Sequence, residues 1–282
     1  MQGELLFSED VRQIAADAAE LAPSLCDTCE NFHTLWPYHR LAQAAGGDVA
    51  ATLVCSTLQR LLSQPGRRIL IGGSADSGLL AVVANAASPG TAITVLDKCK
   101  TPLELCRRFA ERWSLPIDVL HLDLADLEAT GAYDVVFVHM LLQFIPRDRH
   151  RGVLSRIRRS LRADGRLVLV FRTSPRLTET LAAEYQSDYP LGLIEQLEAR
   201  GIPLPQSRES FRRQLEIYFD ERRAREGTHN SHEDVERTAK DAGFRIEELT
   251  AIGASMSSPF TQFNARIGLQ RFLMIAAPDG QS

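Results

Sequence analysis

Lysine is almost missing from this chain: of its 32 basic residues only Lys98, Lys100 and Lys240 are lysine, the rest arginine. With the Ala-rich segments, this reads as genomic composition bias rather than function. No run reaches the roughly 20 apolar residues needed to span a bilayer, which argues against a membrane partner. The amino-terminal segment carries acids and no basic region, unlike a secretory signal. Internal repeats and low-complexity tracts are absent, and the ordinary composition excludes disordered, collagen-like and fibrous classes. A net charge of −4 supplies no excess of positive charge to draw the whole protein to nucleic acid. Five cysteines is an odd number, in a chain too long for a disulfide mini-scaffold, so reduced thiols in the cytoplasm are expected. What is present is ordinary globular material: 282 residues, 44% hydrophobic and 24% charged, enough for a sizeable core.

The amino-terminal 64 residues read as helical, with Val11, Ile14, Ala15, Ala18 and Leu21 at helical spacing. Pro23 is expected to interrupt, a short helix to follow over 25–35 and break before Trp36-Pro37, and a third helix to run over 48–62. From residue 66 the pattern changes. Short apolar runs at 68–73 (RILIGG), 92–97 (AITVLD), 117–122, 133–140 (YDVVFVHM) and 166–172 (RLVLVFR) alternate with helical segments at 79–87, 103–113 and 149–161. Strands apolar on both faces, alternating with helices, imply a mostly parallel sheet covered on both sides. A helix-rich stretch over 175–225 and a helix at 232–242 precede two last strands, 244–252 and 271–277. The expected fold is α/β: a doubly wound, mostly parallel seven-stranded sheet with a helical amino-terminal cap and a helical insertion before the last two strands. The expected division is a cap over 1–64, a Rossmann-like core over 65–175, an insertion or lid over 176–231 and a completion of the sheet over 232–282.

In such sheets ligands bind beyond the carboxyl ends of the strands, where strand order reverses. The first strand runs into Gly72-Gly73-Ser74-Ala75-Asp76-Ser77-Gly78, small residues that let a ligand approach the backbone and the free N–H groups of the next helix. The same residues suit a plain strand-to-helix turn with Ser74 or Asp76 as cap. Asp97 ends the second strand, at the distance at which an acid accepts from both hydroxyls of a ribose. Asp123-Leu124 ends the third strand beside the same crevice, and His139 ends the fourth. A nicotinamide site would need G-x-G-x-x-G after the first strand, which this turn does not match.

The order IGGSADSG, VLD, HLDL, YDVVFVHMLLQFIP and LRADGRLVLVF resembles the class I S-adenosylmethionine-dependent methyltransferases, over about residues 66–175 and the closing strands near 244–277. The resemblance implies S-adenosyl-L-methionine as cofactor and methyl transfer to a nucleophilic O, N or C atom of a small molecule. It implies that Gly72, Gly73, Ser74, Ala75 and Asp76 hold the methionine part, that Asp97, with Lys98 beside it, binds the ribose, and that Asp123 and Leu124 meet the adenine. It places His139 near the cofactor and the transferred methyl, where it is the candidate catalytic base. The chain departs from the family where an acid normally precedes the turn, here Ile71, and where two glycines read as Ala75 and Ser77; Asp76 is the candidate replacement for the acid. Those departures also suit a member of the fold that binds cofactor without catalysis.

A cap and an insertion of this size favour a small acceptor in a closed pocket, with His33, Tyr38 and Arg40 in the cap, Gln143 after the fourth strand and Tyr185 in the insertion as candidate contacts. Phe211, Leu215 and Phe219 have the spacing of a core stripe. The basic run 147–162 holds seven arginines and one acid but no interleaved aromatics, so a solvated face is expected rather than an RNA or protein substrate surface. Cys26, Cys29 and His33 share a face if helical, with His39 as a conceivable fourth zinc ligand; two buried thiols and a polar histidine, with no metal, is the expectation. The cap could equally pack on its own domain or on a neighbouring subunit, which leaves a homodimer open.

Overall fold

The computed structural model describes residues 10–26, 29, 32–43, 49–176, 179–225, 231–252 and 266–280, without the side chains of 43, 49–51, 179–187 and 218–225. Three helices come first, α1 (Val11–Leu25), α2 (Phe32–Gln43) and α3 (Val49–Leu61). Then β1 (Arg68–Gly72), α4 (Gly78–Ala86), β2 (Ala92–Asp97), α5 (Lys100–Arg112) and β3 (Ile117–His121) alternate. β4 (Tyr133–His139), α6 (His150–Ser160) and β5 (Leu161–Thr173) follow. Next come α7 (Glu179–Ala199), α8 (Arg208–Arg225) and α9 (His232–Asp241), and the chain closes with β6 (Phe244–Ile252) and β7 (Gln270–Pro278). No helix among the described residues is long and apolar enough to cross a membrane.

The seven strands lie in the order β3-β2-β1-β4-β5-β7-β6. β7 runs antiparallel to both neighbours, and β1 to β5 are parallel. The chain works outward from β1 to β3 and then returns to the other side of β1 with β4. That reversal opens the crevice at the carboxyl ends of β1 and β4.

Strand alternation divides the core between the two faces of the sheet. Ile69, Ile71, Val135, Phe137, Val168 and Val170 pack with Leu58, Leu80 and Phe109 from α3, α4 and α5. Leu70, Val136, Val138, Leu167 and Leu169 pack with Leu154, Ile157 and Val235 from α6 and α9. A third cluster joins α1 and α2 to α7 and α8 through Leu35, Tyr38, Tyr189, Leu193 and Phe211.

The prolines behave differently from expectation. Pro23 lies inside α1, and α2 begins at Phe32 and continues through Pro37 to Gln43. A proline there forfeits one backbone hydrogen bond and crowds the preceding turn. Burial of Leu35, Tyr38, Leu41 and Ala42 on the other side of that loss outweighs it. The expected helix over 25–35 is not continuous: Cys26 ends α1, Cys29 lies in a bend, and 32–35 form the start of α2, with the Phe32 N–H donating to the Cys29 carbonyl at 2.9 Å.

At the amino ends of the strands Asp134 gathers three donors. Arg67 Nη1 and Arg162 Nη1 reach its Oδ1 at 2.7 and 2.9 Å, and the Arg68 N–H reaches Oδ2 at 2.7 Å. This end of the sheet is tied by charge, and the opposite end is left for the site.

Candidate active site

β1 runs out into the Gly-rich turn. Gly73 has φ +80°, and its N–H donates to the Leu96 carbonyl at 2.8 Å. The positive φ favours glycine here, and a Cβ at Gly73 would also stand 2.8 Å from Leu141 Cδ2, which would have to move. A Cβ at Gly72 would lie 3.3 Å from Val138 Cγ2 and 3.4 Å from Leu124 Cδ2. The ends of β1, β3 and β4 therefore meet at these two glycines.

Asp97 closes the turn from β2. Its Oδ2 accepts the Ser74 N–H at 2.9 Å and its Oδ1 accepts the Cys99 N–H at 2.7 Å. Ser74 Oγ donates to the Asp76 carbonyl at 2.5 Å. A carboxylate has about four acceptor positions, so each Asp97 oxygen keeps a lone pair for a further donor. A vicinal diol has the two donors this pair fits. Burial raises the pKa of Asp97, against the lowering effect of His33 and the two N–H donors.

The turn is held from above by α2. His33 Nδ1 donates to the Ala75 carbonyl at 2.8 Å, and Arg40 Nη1 reaches Asp76 Oδ2 at 2.8 Å. Asp76 Oδ1 accepts the Gly78 N–H at 2.8 Å, so both of its oxygens are engaged. Ile71 is buried in the core and offers the turn no charge.

Asp123 is half-buried and its Oδ1 accepts the Ala125 N–H at 2.9 Å, while Leu124 beside it is buried. Lys98 is exposed, and its carbonyl accepts from His121 Nε2 at 3.0 Å. His139, the last residue of β4, is half-buried with its ring 6.1 Å from that of Phe137. Met140 then takes φ +54°, a left-handed conformation rare for such a side chain and typical of sites whose surroundings over-determine the backbone.

A 3₁₀ turn, Leu142–Phe144, follows and carries Gln143. Gln143 is 7% exposed, and its Oε1 has no hydrogen-bond partner among the described residues. His150 pins this turn: its Nε2 donates to the carbonyls of Leu142 and Ile145 at 2.9 and 2.7 Å. Burial holds the His150 pKa below the ordinary histidine value. Nothing in the local sequence announced this anchoring.

From Phe144 a column of rings climbs through the cap. Phe144 meets Phe32 at 5.7 Å, Phe32 stacks on Trp36 at 5.5 Å, Trp36 on His39 at 5.1 Å, and His39 on Tyr189 of α7 at 5.5 Å. Phe32, Trp36 and His39 are half-buried and share one stripe of α2.

Of the residues expected to face an acceptor, His33 and Arg40 hold the Gly-rich turn, and Tyr38 packs against Phe211 at 5.4 Å inside the third cluster. Gln143 stands at the β4 exit. Tyr185 lies on α7, with its side chain outside the described residues. The arginines of 147–162 are partly paired, Arg147 with Asp234 at 3.3 Å and Arg162 with Asp134 at 2.9 Å.

Cys26, Cys29 and His33 do not share a helix, and the group that joins them is Cys99 from the turn after β2. The four ligand atoms all lie within 4.8 Å of one another. His39 is occupied elsewhere, in the ring column. Cys99 was missed because it stands 70 residues from Cys29, and no local spacing connects them.

Residues 72–165 match the family described as "Methyltransferase domain". A carboxy-S-adenosyl-L-methionine synthase from Glaesserella parasuis serovar 5 (strain SH0165) is 31% identical over 101 residues, 35% of this chain and 42% of that protein. The chain thus aligns with less than half the length of this curated relative. Among solved structures, Burkholderia thailandensis 1,6-didemethyltoxoflavin-N1-methyltransferase, with its substrate and S-adenosylhomocysteine bound, superposes with a TM-score of 0.54 at 14% identity, covering 96% of this chain and 92% of that one. Streptomyces coelicolor A3(2) geranyl diphosphate C-methyltransferase gives 0.56 at 12% identity, over 80% and 77% of the two chains. The [4+2]-cyclase SpnF gives 0.57 at 12% identity, over 89% and 95%. Residues 72–165 are thus similar to methyltransferase domains, and the chain built around them has the fold of the class I S-adenosylmethionine-dependent methyltransferases.

Proposed function

We propose that this chain binds S-adenosyl-L-methionine at the carboxyl ends of β1, β2 and β3 and transfers its methyl group to a nucleophilic O, N or C atom of a small molecule. The observation that carries the reading is Asp97, a buried carboxylate fixed by two backbone N–H groups beside Gly72 and Gly73, with a lone pair left on each oxygen. When bound, the cofactor supplies a sulfonium methyl for in-line displacement. Asp97 accepts from the two ribose hydroxyls. Asp123 meets the adenine amino group and Leu124 packs beside the ring. Asp76 and Arg40, paired across the turn, face the methionine end.

The remaining residues align the acceptor and exclude water. The half-buried rings of Phe32, Trp36 and His39 offer one wall, and the Gln143 carbonyl oxygen takes a donor from the acceptor or the cofactor. His139 takes the proton when the acceptor atom is still protonated. The cap packs on the chain's own turn and its own α7 and α8, so closure of the site needs no second subunit. Reduced thiols suit a cytoplasmic setting.

A second reading is supported by Ile71, Ala75 and Ser77 and by the fold shared with a cyclase: the chain binds the cofactor but does not transfer its methyl. Incubation with methyl-labelled cofactor and a panel of small nucleophiles separates the two. Label in an acceptor, lost in His139→Ala or Asp97→Ala, supports methyl transfer. Tight binding with no labelled product from any acceptor supports the second reading.

A further inference from the structure

We infer that Cys26, Cys29, His33 and Cys99 form a structural site for one zinc ion that locks the amino-terminal cap onto the Gly-rich turn. The four residues come from four places in the chain: the C-cap of α1, the bend after it, the first turn of α2, and the N-cap of α5. Their sulfurs are 3.1 Å apart for Cys26 and Cys29, 3.5 Å for Cys29 and Cys99, and 3.7 Å for Cys26 and Cys99. A tetrahedral zinc with Zn–S bonds of about 2.3 Å has edges of about 3.8 Å. To take the ion, the 3.1 Å edge opens by about 0.7 Å, the other two sulfur edges open by less, and the His33 ring closes toward the sulfurs from within 4.8 Å.

The histidine is prepared for the role. The Ala75 carbonyl can only accept, so Nδ1 carries a hydrogen and Nε2 is the nitrogen that would meet a metal. A ring whose second nitrogen donates to a carbonyl is the usual arrangement for a ligating histidine, because the hydrogen bond fixes both tautomer and orientation. His33 is buried, and Cys99 is buried at the start of α5. Thr101 Oγ1 lies 3.1 Å from Cys26 Sγ, a second-layer hydroxyl for that sulfur. The other two cysteines stand apart: Cys106 donates to the Asp76 carbonyl at 3.7 Å, and Cys55 is on α3. No disulfide is formed by any of the five.

Three thiolates and one imidazole complete a tetrahedron, so no position is left for a water or substrate, and the ion holds structure rather than performing chemistry. A set of three sulfurs and one nitrogen selects zinc over magnesium or calcium. Binding releases the thiol protons. The position explains the purpose: Cys99 donates its N–H to Asp97, and His33 holds Ala75. One ion would thus fasten the cap to both walls of the cofactor crevice.

The test is metal analysis of the full chain, purified under reducing conditions from zinc-supplemented medium. About one zinc per chain is expected, released by a thiol-blocking mercurial. Replacement with cobalt(II) should give thiolate-to-metal charge-transfer bands and the intense visible bands of a tetrahedral site. Cys99→Ser and His33→Ala should lose the metal, and Cys55→Ser should keep it. Should those variants fold poorly, wild-type protein stripped with a chelator gives the second reading: its Tm should fall and recover on addition of zinc alone. Less than about a tenth of an equivalent of metal with no cobalt spectrum overturns the proposal. So does a Cys26–Cys29 disulfide in protein alkylated at lysis, or full metal content in Cys99→Ser.

Discussion

Gln143 and Asp134 put the two ends of β4 to different uses. Among the described residues the Gln143 Oε1 is buried without a partner, which costs about 1–3 kcal/mol if nothing ever satisfies it. Replacing Gln143 with Leu should therefore leave the unliganded protein as stable or more so in a thermal melt. The same variant should raise the KM for the acceptor or the Kd for the cofactor about tenfold or more. Unchanged kinetics would remove Gln143 from the site. Asp134 is the opposite case. Burial opposes its ionisation, yet Arg67, the Arg68 N–H and Arg162 hold its carboxyl below the usual carboxylate range. Asp134→Asn should cost about 3 kcal/mol at neutral pH by denaturant unfolding. A depressed carboxylate stabilises above its unfolded pKa of about 3.9 and loses that contribution as pH falls through its folded value. The gap between wild type and Asp134→Asn should therefore be full at neutral pH and shrink below about pH 4. A gap independent of pH in acid would contradict the charge argument.

Helix α2 is the element on which the site depends, because it carries His33 and Arg40 on the turn side, Tyr38 in the third core and the ring stripe between them. The Asp76 side chain is 4% exposed, so Arg40→Ala strands a buried carboxylate. A loss of about 3 kcal/mol in stability is expected, together with weaker cofactor binding; loss of neither would make the pair ornamental. A similar logic applies to the 3₁₀ turn that His150 pins. His150 is buried neutral, so its contribution is fully present above the unfolded value of about 6.5 and is lost as pH falls below it. Between pH 7 and 5 the Tm of wild type should fall more than that of His150→Gln, read by calorimetry.

The legible and illegible parts divide at this scale. The strands could be read because RILIGG, YDVVFVHM and RLVLVFR are apolar on both faces, a pattern that burial in a parallel sheet produces locally. The helix expected over 232–242 is α9, which Ser231 caps, its Oγ accepting the Asp234 N–H at 3.3 Å. Pro37 misled because tertiary packing, not local propensity, keeps α2 helical. The joining of Cys99 to Cys26 and Cys29, and of Arg40 to Asp76, lies in contacts between distant segments that leave no periodic trace.

At the scale of the whole molecule, the order β3-β2-β1-β4-β5-β7-β6 brings the ends of β1 to β4 to one edge, and two helical layers close over that edge. A ligand bound there should stabilise the fold by mass action, about 2.7 kcal/mol at a hundred times its Kd. The Tm should therefore rise with S-adenosylmethionine concentration. The central claim, a cofactor site centred on Asp97, is tested most directly by calorimetric titration of the full chain with S-adenosylmethionine and S-adenosylhomocysteine, beside Asp97→Ala. The account predicts one site of micromolar affinity, weakened at least about tenfold in the variant, as expected for loss of a charged hydrogen-bond acceptor. Absence of binding by either ligand to the wild type, or equal binding by Asp97→Ala, would contradict it.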